Sequence, residues 1–106
     1  MPWWLSRMDE HWEKLPHLVP WQQRRPSDIF NQSVYVGCEP FEDGLFEWAV
    51  EYLGGDRLVL ATDSPHWDSS QPGQVTGPIS KSTKISPENK RKVLGENAIS
   101  LLRLGP

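Results

Sequence analysis

The feature that most constrains the fold is a strand–helix–strand pattern in the middle of the chain. Two short apolar and β-branched runs, residues 33–38 and 57–62, flank a segment with helical periodicity, residues 41–53. Acidic residues occupy the first turn of that segment, and Gly54 and Gly55 end it. Strands joined by a helix of this length lie parallel, with a right-handed crossover. The sequence therefore predicts a βαβ unit and an α/β fold class.

Further helices are predicted on both sides of this unit. Residues 2–15 have apolar residues at steps of three and four and end before Pro16, and residues 26–30 could add one helical turn. Ser86 is placed to cap a last helix over residues 86–104, with Gly95 as a potential break in it. Residues 69–84 are polar, contain Gly and Pro, and show no periodicity, so a long loop is predicted there. The predicted order is helix, strand, helix, strand, helix.

Two parallel strands do not complete a sheet of this kind. The backbone groups on their outer edges would be left unpaired, and the apolar faces would be left uncovered. The chain is therefore expected either to associate, with itself or with a partner, or to be part of something larger. We predict a single partial domain over residues 1–106.

Composition narrows the classes of function. A formal net charge of −3 over 106 residues argues against nucleic acid as a partner. No apolar run approaches the ~20 residues that cross a bilayer, so no membrane association is expected. The lone Cys38 cannot form an internal disulfide, which favours a cytoplasmic setting. The six tryptophans either form a stacking surface for sugars or bases, or belong to a hydrophobic core whose partner segments are missing. The second interpretation is favoured.

The candidate chemistry lies where the second predicted strand ends. Asp63 and His66 follow residues 57–62 and are three positions apart, with Asp68 close by. Ligands and catalysis gather at the carboxyl ends of parallel strands, and a carboxylate with an imidazole suits metal ligation or proton transfer. The alternative is structural, because Asp-Ser-Pro is a good turn opener. Residue types alone leave both interpretations open.

Two other residues are weaker candidates. Arg7 could meet an acidic substrate or pair with Asp9 or Glu10, and pairing is the default for a helix face. Cys38 could act as a nucleophile, although a small buried residue is more usual at such a position.

Two segments resemble the carboxyl-terminal end of a known family. Residues 57–68, which include Asp63-Ser-Pro-His66-Trp-Asp, and residues 85–102, which include Gly-Glu-Asn97-Ala98, resemble the amidohydrolase-related family. These are metal-dependent hydrolases and decarboxylases similar to aminocarboxymuconate-semialdehyde decarboxylase. Residues 4–12 and 26–30 also resemble the family, in the same order. The resemblance implies the carboxyl-terminal portion of a (β/α)8 barrel, with residues 34–36 as its seventh strand and 58–62 as its eighth.

The resemblance also implies roles for individual residues. Asp63 would bind a divalent metal, most often zinc, and serve as catalytic acid or base, while His66 and Arg7 would meet a small carboxylated or amide-bearing substrate. The family's other ligands, from a His-x-His or Glu-x-His pair and from further histidines, have no counterpart here. The chain is thus expected to be a fragment that is inactive alone. The alternative is a non-catalytic remnant that acts as an interaction module through exposed strand edges.

Overall fold

A computed structural model describes residues 2–39, 44–67 and 72–105. Its contacts divide the chain into two compact units, Met1–Val34 and Tyr35–Pro106. The predicted single partial domain over residues 1–106 stays a prediction. No helix in the described part of the chain is long and apolar enough to cross a membrane.

The first unit contains two helices. Helix α1 (Pro2–Lys14) confirms the amphipathic helix predicted from the sequence, and α2 (Pro26–Ser33) is longer than the single turn expected there. The Asp9 carboxylate joins them, since it accepts hydrogen bonds from the Ser27 backbone N–H at 2.9 Å and the Ser27 hydroxyl at 2.6 Å. This carboxylate thus satisfies a backbone donor in the first turn of α2, where helical N–H groups lack intrahelical partners.

The second unit contains the predicted βαβ arrangement. Strand β1 (Val36–Cys38), helix α3 (Leu45–Leu53) and strand β2 (Leu58–Leu60) follow in order, and the strands pair in parallel with Gly37 opposite Val59. The α/β fold class with two parallel strands is confirmed. Both strands are shorter than predicted, and Ser33 belongs to α2 instead. Residues 41–43 of the predicted helix lie outside the described residues, and the right-handed crossover stays a prediction.

The predicted loop over residues 69–84 is wrong over most of its length. Residues Pro72–Lys81 form helix α4. Val75 and Ile79 lie one helical turn apart, and each is only 1% exposed. Burying two such side chains contributes about 1.5–3 kcal/mol each, which offsets the roughly 3 kcal/mol that Pro78 costs inside a helix. Two apolar residues are too few to produce a visible period among polar neighbours.

The last helix begins as predicted. The Ser86 hydroxyl accepts a hydrogen bond from the Asn89 backbone N–H at 3.2 Å, and Pro87 is the first helical residue. We call residues 87–102 the closing helix. It consists of α5 (Pro87–Arg91), a π-helical turn (Lys92–Glu96) and α6 (Asn97–Leu102). The helical path therefore continues through Gly95, and the break anticipated there does not occur.

The core of the second unit surrounds β2. Leu58 has no exposed surface and lies among buried residues from α3, α4 and the closing helix. The buried members of this cluster are Phe46, Val50, Leu58, Ile79, Ile85 and Val93. Because Leu58, its first residue, is the most deeply buried member of this cluster, β2 is well anchored at its amino end. It is also the strand that leads to Asp63.

Candidate functional site

Asp63 lies just beyond the carboxyl end of β2. The Ala61 backbone N–H donates a hydrogen bond to the Cys38 carbonyl at 3.0 Å, so strand pairing extends to within two residues of Asp63. Asp63 has a left-handed backbone conformation, with φ of 51°, which Asp and Asn tolerate better than most residues. Its side chain is 58% exposed. A strand whose first residue is buried thus leads to an accessible carboxylate at the end of the sheet.

His66 returns to Asp63 through a tight turn. Its backbone N–H donates a hydrogen bond to the Asp63 carbonyl at 2.8 Å. Its Nδ1 lies 3.8 Å from Asp63 Oδ2, and the imidazole is 55% exposed. The structural interpretation of Asp63 as a turn residue and its interpretation as a functional partner of His66 are therefore compatible. The turn brings the two side chains together.

The spacing of these two side chains allows both to contact one atom. Two ligands about 2.1 Å from a tetrahedral zinc lie roughly 3.4 Å apart, and the Asp63–His66 separation is only slightly longer. However, residues 2–39, 44–67 and 72–105 contain no group of three His, Cys, Asp or Glu side chains that could hold a metal ion. A catalytic zinc usually takes three protein ligands. The described residues therefore do not fit a complete metal site, and Asp68 lies outside them.

Arg7 lies in the first unit, on the exposed face of α1. Its Nη1 donates to Glu10 Oε2 at 2.7 Å, and Lys14 binds the other oxygen of the same carboxylate. Lys14 and then Arg7 lower the pKa of Glu10 through these bonds. This confirms helix-face pairing, which was the default interpretation of Arg7. A substrate contact for Arg7 stays a prediction.

A hollow lies at the same end of the strands. It has a volume of about 570 Å³. Its lining residues are Gly37, Cys38, Glu39, Leu45, Phe46, Trp48, Ala49 and Ala61. Glu39 was not singled out from the sequence, although it directly follows β1, which is the signal that identified Asp63 after β2.

Cys38 lies in the lining of this hollow. It is half-buried, and that burial raises the pKa of its thiol. Because the thiolate is the nucleophilic form, the raised pKa disfavours the nucleophile interpretation. The position instead suits the small, partly buried residue that was the alternative.

Comparisons with known proteins identify relatives of the chain. The sequence model of a family described as amidohydrolase matches residues 1–104. Among solved structures, the chain is similar to an amidohydrolase from Mycobacterium avium subsp. paratuberculosis K-10, with a TM-score of 0.73 and 24% sequence identity. That match covers 92% of this chain but 24% of the other, so the chain spans about a quarter of its length. The search of curated protein sequences found no match.

Proposed function

Because the chain belongs to the amidohydrolase family, we propose that it supplies one part of the active site of a metal-dependent hydrolase or decarboxylase. The observation that carries this proposal is Asp63 just beyond the carboxyl end of a parallel strand, with His66 Nδ1 3.8 Å from Asp63 Oδ2. In barrels built from such strands, catalytic residues come from the strand ends. The substrate class we propose is a small organic molecule that carries a carboxylate or an amide.

The step we assign to this chain is proton transfer at Asp63. Its carboxylate is accessible to a substrate, and the His66 imidazole lies 3.8 Å away at the same strand end. For the complete site we propose a divalent metal, with zinc favoured by aspartate and histidine donors. The described residues do not complete its ligand set. The remaining ligands would have to come from other polypeptide, so no step through the metal is derived for this chain.

The finer features of the proposal follow the resemblance of residues 57–68 and 85–102 to enzymes similar to aminocarboxymuconate-semialdehyde decarboxylase. We propose β1 and β2 as the seventh and eighth strands of a barrel, and His66 and Arg7 as substrate contacts. A cytoplasmic setting is proposed from the single cysteine. The chain alone is expected to show no turnover, because its described residues do not make up a complete set of metal ligands.

Zinc titration of the purified chain tests the assignment of Asp63. Calorimetry should show weak zinc binding by the unaltered chain and no zinc binding by Asp63→Asn. Glu51→Gln is the matched control, since Glu51 is an exposed acid on α3 and loses the same charge. Equal binding by Asp63→Asn and the unaltered chain would remove Asp63 from the site. One tightly held zinc per purified chain would contradict the incomplete ligand set.

The DNA upstream of the Met1 codon tests the assignment to a larger enzyme. We expect an in-frame extension that encodes a His-x-His or Glu-x-His segment, which would supply the ligands that the described residues lack. A stop codon and a promoter at that place would contradict the enzyme proposal for this gene.

A second candidate function is an interaction module. Its supporting observation is an exposed aromatic pair on α1, since Trp3 is 70% exposed, Trp4 is 63% exposed, and their ring centroids lie 5.4 Å apart. Large exposed apolar surfaces mark interaction sites in soluble proteins. Size-exclusion chromatography with light scattering separates the candidates: a self-associating or partner-bound chain favours the module, and a folded monomer that binds no partner argues against it.

A further inference from the structure

The turn between α3 and β2, residues 54–57, is held by a buried side chain of the closing helix. Asn97 Nδ2 donates two hydrogen bonds, to the Gly55 carbonyl at 2.6 Å and to the Leu58 carbonyl at 2.7 Å. Asn97 is 8% exposed and is the one buried polar side chain in the described part of the chain. Both donors of its amide are therefore used on the backbone that leads into β2.

Two neighbouring side chains of the closing helix contact the same turn. Lys92 Nζ lies 2.7 Å from Asp56 Oδ1 and 2.7 Å from Glu88 Oε1. The Asn89 side chain packs so closely on Gly55 that a Cβ at position 55 would collide with it. Three side chains of one helix thus hold one short turn, at the amino end of the strand.

The π-helical turn is what brings Lys92 and Asn97 to the same face. The Asn97 backbone N–H donates to the Lys92 carbonyl five residues earlier, which is the π pattern. In an α-helix with 3.6 residues per turn, residues five apart lie about 140° apart around the axis. The wider turn reduces that angle, so that Lys92 reaches Asp56 while Asn97 reaches Gly55 and Leu58.

We infer that Asn97 is a positioning residue, which sets the place of β2 along its own axis and so the place of Asp63. β2 is short, and its described neighbour in the sheet is β1 alone. Three paired residues leave its axial position poorly fixed, and a one-residue slip would turn every side chain to the other face. The two bonds from Asn97 supply the missing constraint. A catalytic role for Asp63 rests on the proposed function. The inference that Asn97 sets the position of Asp63 does not depend on that function.

The experiment measures the distance between the two strand ends. A nitroxide spin label on Cys38, the sole cysteine, marks the end of β1. Paramagnetic relaxation of the Ser64 and His66 amides then reports where the Asp63 turn lies. We expect Asn97→Ala to change this relaxation, and deletion of Gly95, which shortens the π turn to an α turn, to change it in the same direction. If Asn97→Ala does not fold, the measurement is made on Asn97→Ser, which retains one hydrogen-bond donor.

Val93→Ala is the matched control, because Val93 lies in the same helical turn, is buried, and touches the core without bonding the turn. It should lower stability and leave the relaxation of Ser64 and His66 unchanged. The inference is overturned if Asn97→Ala lowers stability alone, or if Val93→Ala moves the two amides equally. A label on Glu39→Cys in a Cys38→Ser background repeats the measurement from an exposed position. Because no readout involves activity, a failed zinc titration would leave this result intact.

Discussion

The two ends of β2 differ in how they are held. At the amino end, Leu58 is fully buried, and its carbonyl is bound by Asn97. At the carboxyl end, the side chains of Asp63 and His66 are both more than half exposed, and Trp67 is almost fully exposed. One strand of three residues therefore separates a fully buried leucine from an accessible acid–imidazole pair.

The amino end of β2 contributes to stability, whereas its carboxyl end carries the candidate catalytic residues. In barrels of parallel strands, the amino-terminal face of the sheet contributes stability and the carboxyl-terminal face carries the site. Here the same division is visible within one βαβ unit. A residue that performs chemistry has to meet its substrate, so Asp63 cannot be packed as Leu58 is. The strand links the two, because the anchored end fixes the direction in which the exposed end points.

The largest effect is expected at the anchored end. Leu58→Ala should lower the free energy of unfolding by about 2–5 kcal/mol, because it leaves a cavity beside Val93 and Ile79. Chemical denaturation followed by circular dichroism measures this change. Leu101→Ala, at an exposed leucine of α6, is the control and should cost within about 0.5 kcal/mol. Equal losses from the two variants would show that β2 is not anchored as described.

A smaller effect of opposite sign is expected at the exposed end. Asp63→Gly should raise the free energy of unfolding by about 1 kcal/mol or less, because glycine adopts a left-handed backbone without steric cost. The same change should abolish zinc binding. Asp63→Asn keeps a residue that tolerates this conformation, so its stability should stay within about 0.5 kcal/mol. If Asp63→Gly is clearly destabilising, the Asp63 side chain is structural.

The smallest effect is expected from the surface ion pairs that Lys92 forms with Asp56, in the turn between α3 and β2, and with Glu88. Bonds to Asp56 and Glu88 raise the pKa of Lys92, and the bond from Lys92 lowers the pKa of Glu88. The contribution of Lys92 is present below its unfolded pKa of about 10.4 and is lost as the pH rises through its folded pKa. That of Glu88 is present above its unfolded pKa of about 4.3 and is lost as the pH falls through its folded pKa.

Lys92→Met removes both contributions while keeping the apolar part of the side chain. Its melting temperature should fall slightly below that of the unaltered chain at neutral pH, and the difference should shrink below about pH 4. Differential scanning fluorimetry across this pH range measures it. Glu51→Gln serves again as the exposed control, and a pH-independent difference for Lys92→Met would mean that the ion pairs contribute nothing.

The sequence predicted the elements whose pattern is local. The helical period of residues 2–15, the cap at Ser86 and the two β-branched runs depend on near neighbours, and each appears in the structure. Helix α4 was missed because only two of its residues, Val75 and Ile79, are known to be buried, and Ile79 is buried against core residues that are distant in the sequence. The π turn was missed for the same reason, since it serves a contact between residues about forty positions apart.

The candidate site was predictable only in part. The position of Asp63 after an apolar run was enough to place it at the end of a parallel strand. Its pairing with His66 depends on a left-handed residue and a tight turn, which the Asp-Ser-Pro sequence indicates. Further metal ligands could not be predicted, since the described residues do not contain a group that would hold an ion.

Amide hydrogen exchange at the two ends of β2 tests this account most directly. The Asn97 backbone amide, bonded to the Lys92 carbonyl within the closing helix, should exchange only when the whole unit unfolds. The His66 amide, bonded to the Asp63 carbonyl in the exposed turn, should exchange through local opening and far faster. Equal protection at Asn97 and His66 would contradict the separation of an anchored end from an accessible one.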